Sequence, residues 1–220
     1  MTRSLDGAVF AVVGGYGGLG SPIAAELERR GATVLRTSRS PRDADTVLLD
    51  IRDADAGDVL VAAARERHGH LDGVVVASGI VAFGDLAATD DVTTEELFLT
   101  NALGPLWLAR HVAPGLAERR GVLAVITGVV AEQPLPGMVP YAASKAALSA
   151  GLTGLRRELR RHGVHVLDAR PPHTETGLAT RPLAGSAPRL PPGLDPADVA
   201  ARIVDAIEAD EPEVAAAGFG

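Results

Sequence analysis

Short apolar runs rich in β-branched residues alternate along the chain with longer stretches whose apolar positions recur at helical spacing. The apolar runs predict strands over residues 8–13, 33–37, 46–49, 73–77, 122–127 and 164–169, with a short last strand over 213–217. The helical stretches predict helices over residues 19–30, 55–68, 94–118, 142–161 and 196–209. Because the predicted strands are apolar on both faces and alternate with helices, we expect an α/β fold built on a doubly wound parallel sheet.

The length of 220 residues and the unbroken alternation of elements predict a single domain over residues 1–220. One segment, residues 171–196, is rich in proline, glycine and alanine and has no periodicity. A loop of that length inside a compact domain is typically functional. We therefore predict that residues 171–196, called the lid segment below, cover a substrate pocket.

Composition argues against several classes of function. The formal net charge of -7 disfavours binding to phosphate backbones, so we expect no nucleic-acid partner. The chain has no cysteine for a disulfide or a thiolate ligand, and its histidines lack metal-ligand spacing, so we expect no metal. Charged residues, glycine or proline interrupt every apolar stretch, and the first residues show no signal-peptide pattern, which predicts a soluble, cytoplasmic protein outside the membrane.

A glycine-rich turn follows the first predicted strand and precedes the first predicted helix. Its sequence, Gly14-Gly-Tyr-Gly-Gly-Leu-Gly20, reads either as G-x-G-x-x-G from Gly15, Gly17 and Gly20 or as G-x-x-x-G-x-G from Gly14, Gly18 and Gly20. In this context the backbone turns sharply and approaches a pyrophosphate, while the helix N-terminus attracts its negative charge. The turn therefore predicts dinucleotide binding, with a merely flexible turn as the alternative.

The sequence Thr37-Ser-Arg-Ser40 ends the second predicted strand, where a dinucleotide-binding unit contacts the adenosine ribose. No carboxylate stands there to accept from a free 2′-hydroxyl. Ser38 leaves room for a 2′-phosphate, and the Arg39 guanidinium can pair with it. We therefore predict NADP(H) as the cofactor rather than NAD(H). The alternative is that Arg39 is only a solvated surface residue.

Tyr141 and Lys145 stand four residues apart at the start of a long predicted helix, which places both side chains on one face. A free phenol has a pKa of about 10, and a nearby ammonium favours the phenolate and lowers that pKa. Tyr141 is therefore a candidate proton donor and acceptor, and Lys145 is a candidate for tuning it.

The glycine turn and the Tyr-Lys pair, in this order along nearly the whole chain, resemble the short-chain dehydrogenase/reductase family, whose domain is a Rossmann fold. By this resemblance Asn101 is the helix asparagine of the catalytic set, beside Tyr141 and Lys145. The resemblance and the arguments above assign cofactor contacts to Gly14, Tyr16, Gly17, Gly18, Leu19, Gly20, Ser38, Arg39, Asp50, Ile51, Ala77, Gly79, Tyr141, Lys145, Pro171, Thr174 and Thr176. It also implies a homodimer or homotetramer packed through its long helices.

In the family, the tyrosine exchanges a proton with the substrate oxygen, the lysine holds the ribose, the asparagine holds a water, and a serine polarises the carbonyl. The serine position, thirteen residues before Tyr141, is Gly128 in this sequence. Thr127 is adjacent and is our candidate for the missing catalytic hydroxyl. Because neighbouring strand residues point to opposite faces, Thr127 can substitute only if the strand end is bulged.

Three functions follow as hypotheses. The first is an NADP(H)-dependent oxidoreductase that interconverts a small carbonyl compound and an alcohol through Tyr141. The second is a catalytically impaired NADP(H)-binding sensor, which the glycine at position 128 suggests. The third is an isomerase, epimerase or dehydratase that uses the bound cofactor and Tyr141 without net consumption of NADPH. A doubly wound sheet alone does not choose among them.

Overall fold

The computed structural model describes residues 2–220 and contains one parallel sheet. Its strands are β1 (Val9–Val13), β2 (Thr33–Ser38), β3 (Val47–Leu48), β4 (Gly73–Val76), β5 (Val122–Ile126), β6 (His165–Ala169) and β7 (Glu213–Val214). The strands lie in the order β3-β2-β1-β4-β5-β6-β7, and every pairing is parallel. The predicted doubly wound parallel sheet is confirmed. Because the order reverses between β1 and β4, a crevice opens there at the carboxyl ends of the strands.

Helices cover both faces of the sheet. They are α1 (Gly20–Arg29), α2 (Ala56–His68), α3 (Asp91–Phe98), α4 (Gly104–Arg119), α5 (Val139–Leu159) and α6 (Pro196–Glu208). Val9, Ala11 and Val13 of β1 belong to the buried cluster formed with α2, α4 and α5. Phe10 and Val12 belong to the cluster formed with α1 and α6. This alternation explains why β1 is apolar at every position.

The helix predicted over residues 94–118 is in fact two α-helices joined by a π-helical turn at Leu99–Leu103. It also begins earlier, at Asp91, because the side chain of Asp90 accepts a hydrogen bond from the backbone N–H of Thr93 and caps the helix. The apolar pattern continues from α3 through the π-helical turn into α4, so the pattern alone predicted a single helix.

Two predicted strands are shorter than expected. The strand predicted over 46–49 spans only Val47–Leu48, and the one predicted over 213–217 ends at Val214. In the second case Ala216–Phe219 turns into a 3₁₀-helix instead of extending the sheet edge. Both strands lie at the outer edges of the sheet, where only one neighbour supports the extended backbone.

The lid segment folds back over the loop that follows β4. The backbone N–H of Leu183 donates to the carbonyl of Val81 at 2.7 Å, and that of Phe83 donates to the carbonyl of Ala184 at 2.9 Å. A Cβ at Gly185 would lie 1.8 Å from the Phe83 carbonyl oxygen, and its φ is +72°. Apolar side chains complete the contact with the buried residues around Tyr141: Leu178, Ala179, Ala184 and Ala187.

No helix within residues 2–220 combines the length and the apolar character needed to span a bilayer.

We expect Gly185→Ala to release the lid segment, because the added methyl group cannot fit against the Phe83 carbonyl. The lid contains Arg189, which is followed by Leu190, so its release is measured as the initial rate of tryptic cleavage after Arg189 by mass spectrometry. The rate rises at least about tenfold, which corresponds to about 1.4 kcal/mol of lost local stability.

Gly177→Ala is the matched control for this prediction. Gly177 lies in the same lid segment with the same φ of +72°, but a Cβ there meets no atom closer than 3.7 Å. Both variants therefore carry the same backbone strain within the lid and differ in the clash with the Phe83 carbonyl. Equal cleavage rates in the two variants would show that the close approach does not hold the lid in place.

Candidate active site

The glycine turn between β1 and α1 requires glycine at two close approaches. A Cβ at Gly20 would lie 2.1 Å from the carbonyl oxygen of Gly14, and a Cβ at Gly18 would lie 2.1 Å from that of Thr176. Gly20 belongs to both possible spacings, but the contact of Gly18 and the φ of +80° at Gly14 favour the spacing that begins at Gly14. Leu19 immediately precedes α1, whose N-terminus lies at the crevice end of the sheet.

The start of the lid segment meets this turn. The backbone of Thr176 packs against Gly18, and the carbonyl of Pro171 accepts a hydrogen bond from the N–H of Val129, just after β5. The hydroxyls of Thr174 and Thr176 are used locally, since the first donates to the carbonyl of Pro172 and the second accepts from the N–H of Leu178. The structure thus brings the predicted closing segment to the glycine turn.

The end of β2 places Arg39, which follows Ser38, beside an open groove of about 250 Å³ that is also lined by Leu49 and Asp50. Arg39 is exposed and makes no hydrogen bond or ion pair within residues 2–220. The Ser38 hydroxyl accepts from the backbone N–H two residues later. A cation that is free of protein partners can bind an anionic ligand without first breaking an ion pair.

The two other arginines near the groove are already paired, and the carboxylates of Asp53 and Asp55 also line it. Arg36 donates to the carbonyl of Gly15 at 3.3 Å and forms an ion pair with Glu28 at 2.8 Å, so it supports the glycine turn. Asp50 accepts hydrogen bonds from the Arg52 guanidinium, which hold the pKa of the carboxyl below its ordinary value. Arg39 is consequently the one of these three arginines that remains available to a ligand.

Tyr16, predicted as a cofactor contact, forms its hydrogen bonds with the loop that follows β2. Its hydroxyl donates to the Asp43 carboxylate at 2.7 Å and lies 2.9 Å from the Thr46 hydroxyl. The side chain therefore joins the glycine turn to the loop that follows β2. Ile51, also predicted as a cofactor contact, is buried. Its carbonyl closely approaches Gly104 at the start of α4.

The segment after β4 carries an orphaned hydroxyl. The N–H of Ala77 donates to the carbonyl of Val13 at 2.9 Å, which continues the pairing with β1. The next side chain, Ser78, has a buried Oγ without a hydrogen-bond partner in the described residues, directly beside Gly14. Buried polar atoms normally have partners. The glycine turn and this unsatisfied hydroxyl are consistent with a site for a polar ligand such as a dinucleotide.

Asn101 lies in the π-helical turn between α3 and α4 and is fully buried. Its side-chain amide donates to the carbonyl of Ile80 at 2.9 Å and to the Ser144 hydroxyl at 3.2 Å, and its oxygen accepts from the N–H of Ile80 at 3.0 Å. Asn101 thereby joins the loop after β4 to α5. Local widening of a helix by a π turn frequently occurs at functional sites.

Tyr141 and Lys145 lie on α5 and face this junction. Their relative exposures are 9% and 5%, and the Lys145 ammonium donates to the carbonyl of Ile126 at 3.0 Å. A Cβ at Gly79 would lie 3.3 Å from both the Asn101 side-chain oxygen and the Lys145 Nζ. The structure therefore places all three residues of the predicted Asn-Tyr-Lys set around one crevice, beside the glycine turn.

Burial acts in opposite directions on the two titratable groups. It raises the pKa of Tyr141 to about 12. It lowers the pKa of Lys145 to about 8, against the opposing attraction of Asp168. The lowering of the Tyr141 pKa by Lys145 that we expected from the sequence does not occur in this arrangement. At neutral pH the pair consists of a neutral phenol and an ammonium, and the phenol can donate a proton.

The catalytic role predicted for Thr127 is wrong for this arrangement. The strand end is irregular as required, because the N–H groups of Thr127 and Gly128 both donate to the carbonyl of Ala169, at 2.9 and 3.3 Å. The Thr127 hydroxyl, however, donates to the buried Asp168 carboxylate and is not free to polarise a substrate. Gly128 has a φ of +86°, a conformation that disfavours any residue with a Cβ.

Sequence reasoning missed two features of the site. The first is Asp168, a carboxylate that is 1% exposed in a strand otherwise read as apolar, and its charge within that strand was the available signal. The second is that Lys145 is the only lysine in the sequence, since every other basic residue besides histidine is arginine. No cluster of three or more histidines and carboxylates suited to a metal ion occurs in residues 2–220.

Known proteins resemble the chain over nearly its whole length. The family model described as short chain dehydrogenase matches residues 8–184. Dehydrogenase/reductase SDR family member 7B of Danio rerio is 26% identical over an alignment of 245 residues, which covers 99% of this chain and 79% of that protein.

Solved structures share the fold. A short chain dehydrogenase from Burkholderia cenocepacia in complex with NADP has a TM-score of 0.84 at 24% identity, over 97% of this chain and 90% of that one. A 3-ketoacyl-(acyl-carrier-protein) reductase from Brucella melitensis complexed with NADH has a TM-score of 0.85 at 21% identity, over 99% of this chain and 100% of that one. With a family model that matches most of its length, the chain belongs to the short-chain dehydrogenase/reductase family.

Proposed function

We propose that the chain is an NADP(H)-dependent oxidoreductase that interconverts a small carbonyl compound and the corresponding alcohol. The observation that carries the proposal is the convergence of Tyr141, Lys145 and Asn101 on the crevice beside the glycine turn. Family membership supports oxidoreductase chemistry, and the arrangement of these residues supports a proton transfer at the Tyr141 hydroxyl. The reacting compound binds under the lid segment, which covers Tyr141 with apolar side chains.

The described residues fit a dinucleotide. The glycine turn and the N-terminus of α1 would hold its pyrophosphate, the buried Ser78 hydroxyl offers an unused polar contact, and Lys145 would donate to a ribose. When bound, the nicotinamide supplies or accepts the hydride. The role of the protein's own residues is then to orient the substrate, exclude water and transfer a proton at Tyr141.

Arg39 supports NADP(H) over NAD(H). It is exposed, follows the last residue of β2 and forms no ion pair in the described part of the chain, while the adjacent Ser38 is small. A 2′-phosphate would give this guanidinium a charge-assisted pair. The two structural relatives were solved with different cofactors, NADP and NADH, so the preference of this chain rests on its own residues.

Tyr141 acts as the proton donor in the direction of carbonyl reduction. With its pKa raised to about 12, the hydroxyl is protonated at neutral pH and can donate to the substrate oxygen as negative charge develops there. Gly128 supplies no second donor, and the Thr127 hydroxyl is bound to Asp168. Loss of one such donor typically lowers turnover by about 100- to 1,000-fold, so we expect a slow enzyme.

Two other functions remain as alternatives for the same site. The glycine backbone at position 128 favours a protein that binds NADP(H) and senses it without turnover. An isomerase, epimerase or dehydratase would use Tyr141 without net consumption of NADPH.

We further propose a cytoplasmic homodimer or homotetramer. Leu103 at the start of α4 is 42% exposed and offers an apolar contact for it.

The cofactor proposal predicts that the protein binds NADPH at least about tenfold more tightly than NADH in calorimetric titrations. Arg39→Gln removes the guanidinium and reduces this preference by about 10- to 150-fold, the range for one charge-assisted pair. Arg157→Gln, which removes the same charge from the exposed surface of α5, leaves the preference unchanged. Equal affinities for the two cofactors in the wild-type protein would contradict the role of Arg39.

The reaction proposal predicts NADPH consumption with at least one member of a panel of small ketones and aldehydes. Tyr141→Phe removes only the hydroxyl and lowers the rate by about 100-fold or more, because general acid catalysis typically contributes 10²- to 10⁴-fold. The same variant keeps its NADPH affinity, which separates a lost proton donor from a lost fold. NADPH binding without any turnover would support the sensor, and product without NADPH loss would support an isomerase, epimerase or dehydratase.

A further inference from the structure

Asp168 is a buried carboxylate next to the candidate active site. It lies on β6 with 1% of its surface exposed, and both of its oxygens are engaged. Oδ1 accepts from the Thr127 hydroxyl, while Oδ2 accepts from the Ser149 hydroxyl at 2.6 Å and from the Arg170 guanidinium at 3.1 Å. A buried charge is costly unless hydrogen bonds compensate it, and Asp168 has three.

The partners of Asp168 lie on both sides of Lys145. Ser149 follows Lys145 by one turn of α5, so its hydrogen bond ties that helix to β6. Thr127 follows Ile126, whose carbonyl accepts from the Lys145 ammonium. Through these two hydroxyls the carboxylate fixes both the helix that carries Lys145 and the strand end that anchors its ammonium.

The charge of Asp168 is only partly cancelled by its neighbours. Arg170, just after β6, contacts Asp168, but it also forms ion pairs with Glu132 after β5 and with Glu213 on β7. Arg156 on α5 directs its guanidinium to the carbonyls of Val166 and Pro212. Of the charged side chains that face the carboxylate from these elements, Lys145 is therefore a cation without another acidic partner.

Burial and Asp168 act on Lys145 in opposite directions. Burial favours the neutral amine, whereas the attraction of Asp168 favours the ammonium, and with both acting the pKa of Lys145 is about 8. The ammonium therefore predominates at pH 7, and removal of the Asp168 charge would shift the equilibrium toward the neutral amine.

We propose that Asp168 is the positioning residue of the active site, which holds Lys145 in place and keeps it an ammonium through its buried negative charge. The inference rests on the proposed function, in which the charged Lys145 binds the cofactor ribose. Asp168 acts through Lys145 and touches no reacting atom. It also explains why Thr127 is withdrawn from the substrate, since its hydroxyl is a ligand of this carboxylate.

The titration of Lys145 tests this proposal directly. Because Lys145 is the only lysine, protein labelled with ¹³C-lysine gives one side-chain Cε signal, whose chemical shift is followed against pH in the cofactor-free protein. In the wild type the midpoint lies at about 8. In Asp168→Asn, which keeps the shape and removes the charge, we expect the midpoint to fall by about one pH unit.

Ser149→Ala is the matched control, because it removes a hydrogen bond from the same carboxylate but leaves its charge. A merely structural role for Asp168 predicts that Asp168→Asn and Ser149→Ala move the midpoint equally. A midpoint that is unchanged in folded Asp168→Asn overturns the proposal.

A second variant keeps the test available if Asp168→Asn does not fold. Asp168→Asn combined with Arg170→Met removes the buried charge pair together and is compared with Arg170→Met alone, so that the loss of the cation is common to both proteins. We expect the midpoint of the double variant to lie about one pH unit below that of Arg170→Met, and equal midpoints would overturn the proposal. The titration needs neither cofactor nor substrate. If the protein consumes no NADPH, the proposed reaction is refuted, but the titration still tests the role of Asp168. If the midpoint does not respond to Asp168, this inference is refuted, but the proposed reaction is not.

Discussion

The reversal of strand order between β1 and β4 opens the crevice on which the rest of the site depends. Parallel strands end at the same edge of the sheet, so the glycine turn after β1, the loop after β4 and the end of β5 meet there without any long connection. The helix α5 crosses this edge and brings Tyr141 and Lys145 to it. Asn101 then fixes the loop after β4 to α5, because its amide bonds both.

Burial of these groups decides their chemistry. Removal from water keeps the Tyr141 hydroxyl protonated well above neutral pH and weakens the hold of Lys145 on its proton. A proton donor for a carbonyl oxygen is therefore available at pH 7, whereas a phenolate is not. The buried Asp168 carboxylate opposes the effect of burial on Lys145, and its cost is offset by two hydroxyls and a guanidinium.

The apolar pattern sufficed to predict the sheet and most helices, because strands covered on both faces, such as β1 and β4, must be apolar throughout. Periodicity could not show the π turn at Leu99–Leu103, since it changes the helical phase by one residue without changing composition. The glycine turn allowed two spacings, and only the close contact of Gly18 and the backbone conformation of Gly14 favoured one of them.

The placement of candidate site residues within one local motif was predictable, whereas contacts between distant segments were not. The spacing of Tyr141 and Lys145 on one helix follows from helical geometry. The direction of the Thr127 hydroxyl depends on Asp168, 41 residues away, and no local rule describes that pair. The docking of Gly185 on Phe83 is likewise a contact between distant segments.

Hydride transfer from labelled cofactor tests the central claim most directly. The protein is incubated with a panel of small ketones and aldehydes and with NADPH that carries deuterium at both C4 positions, and the products are analysed by mass spectrometry and NMR. The account predicts an alcohol with one deuterium on the former carbonyl carbon. Bound NADPH with no deuterium in any product would contradict it.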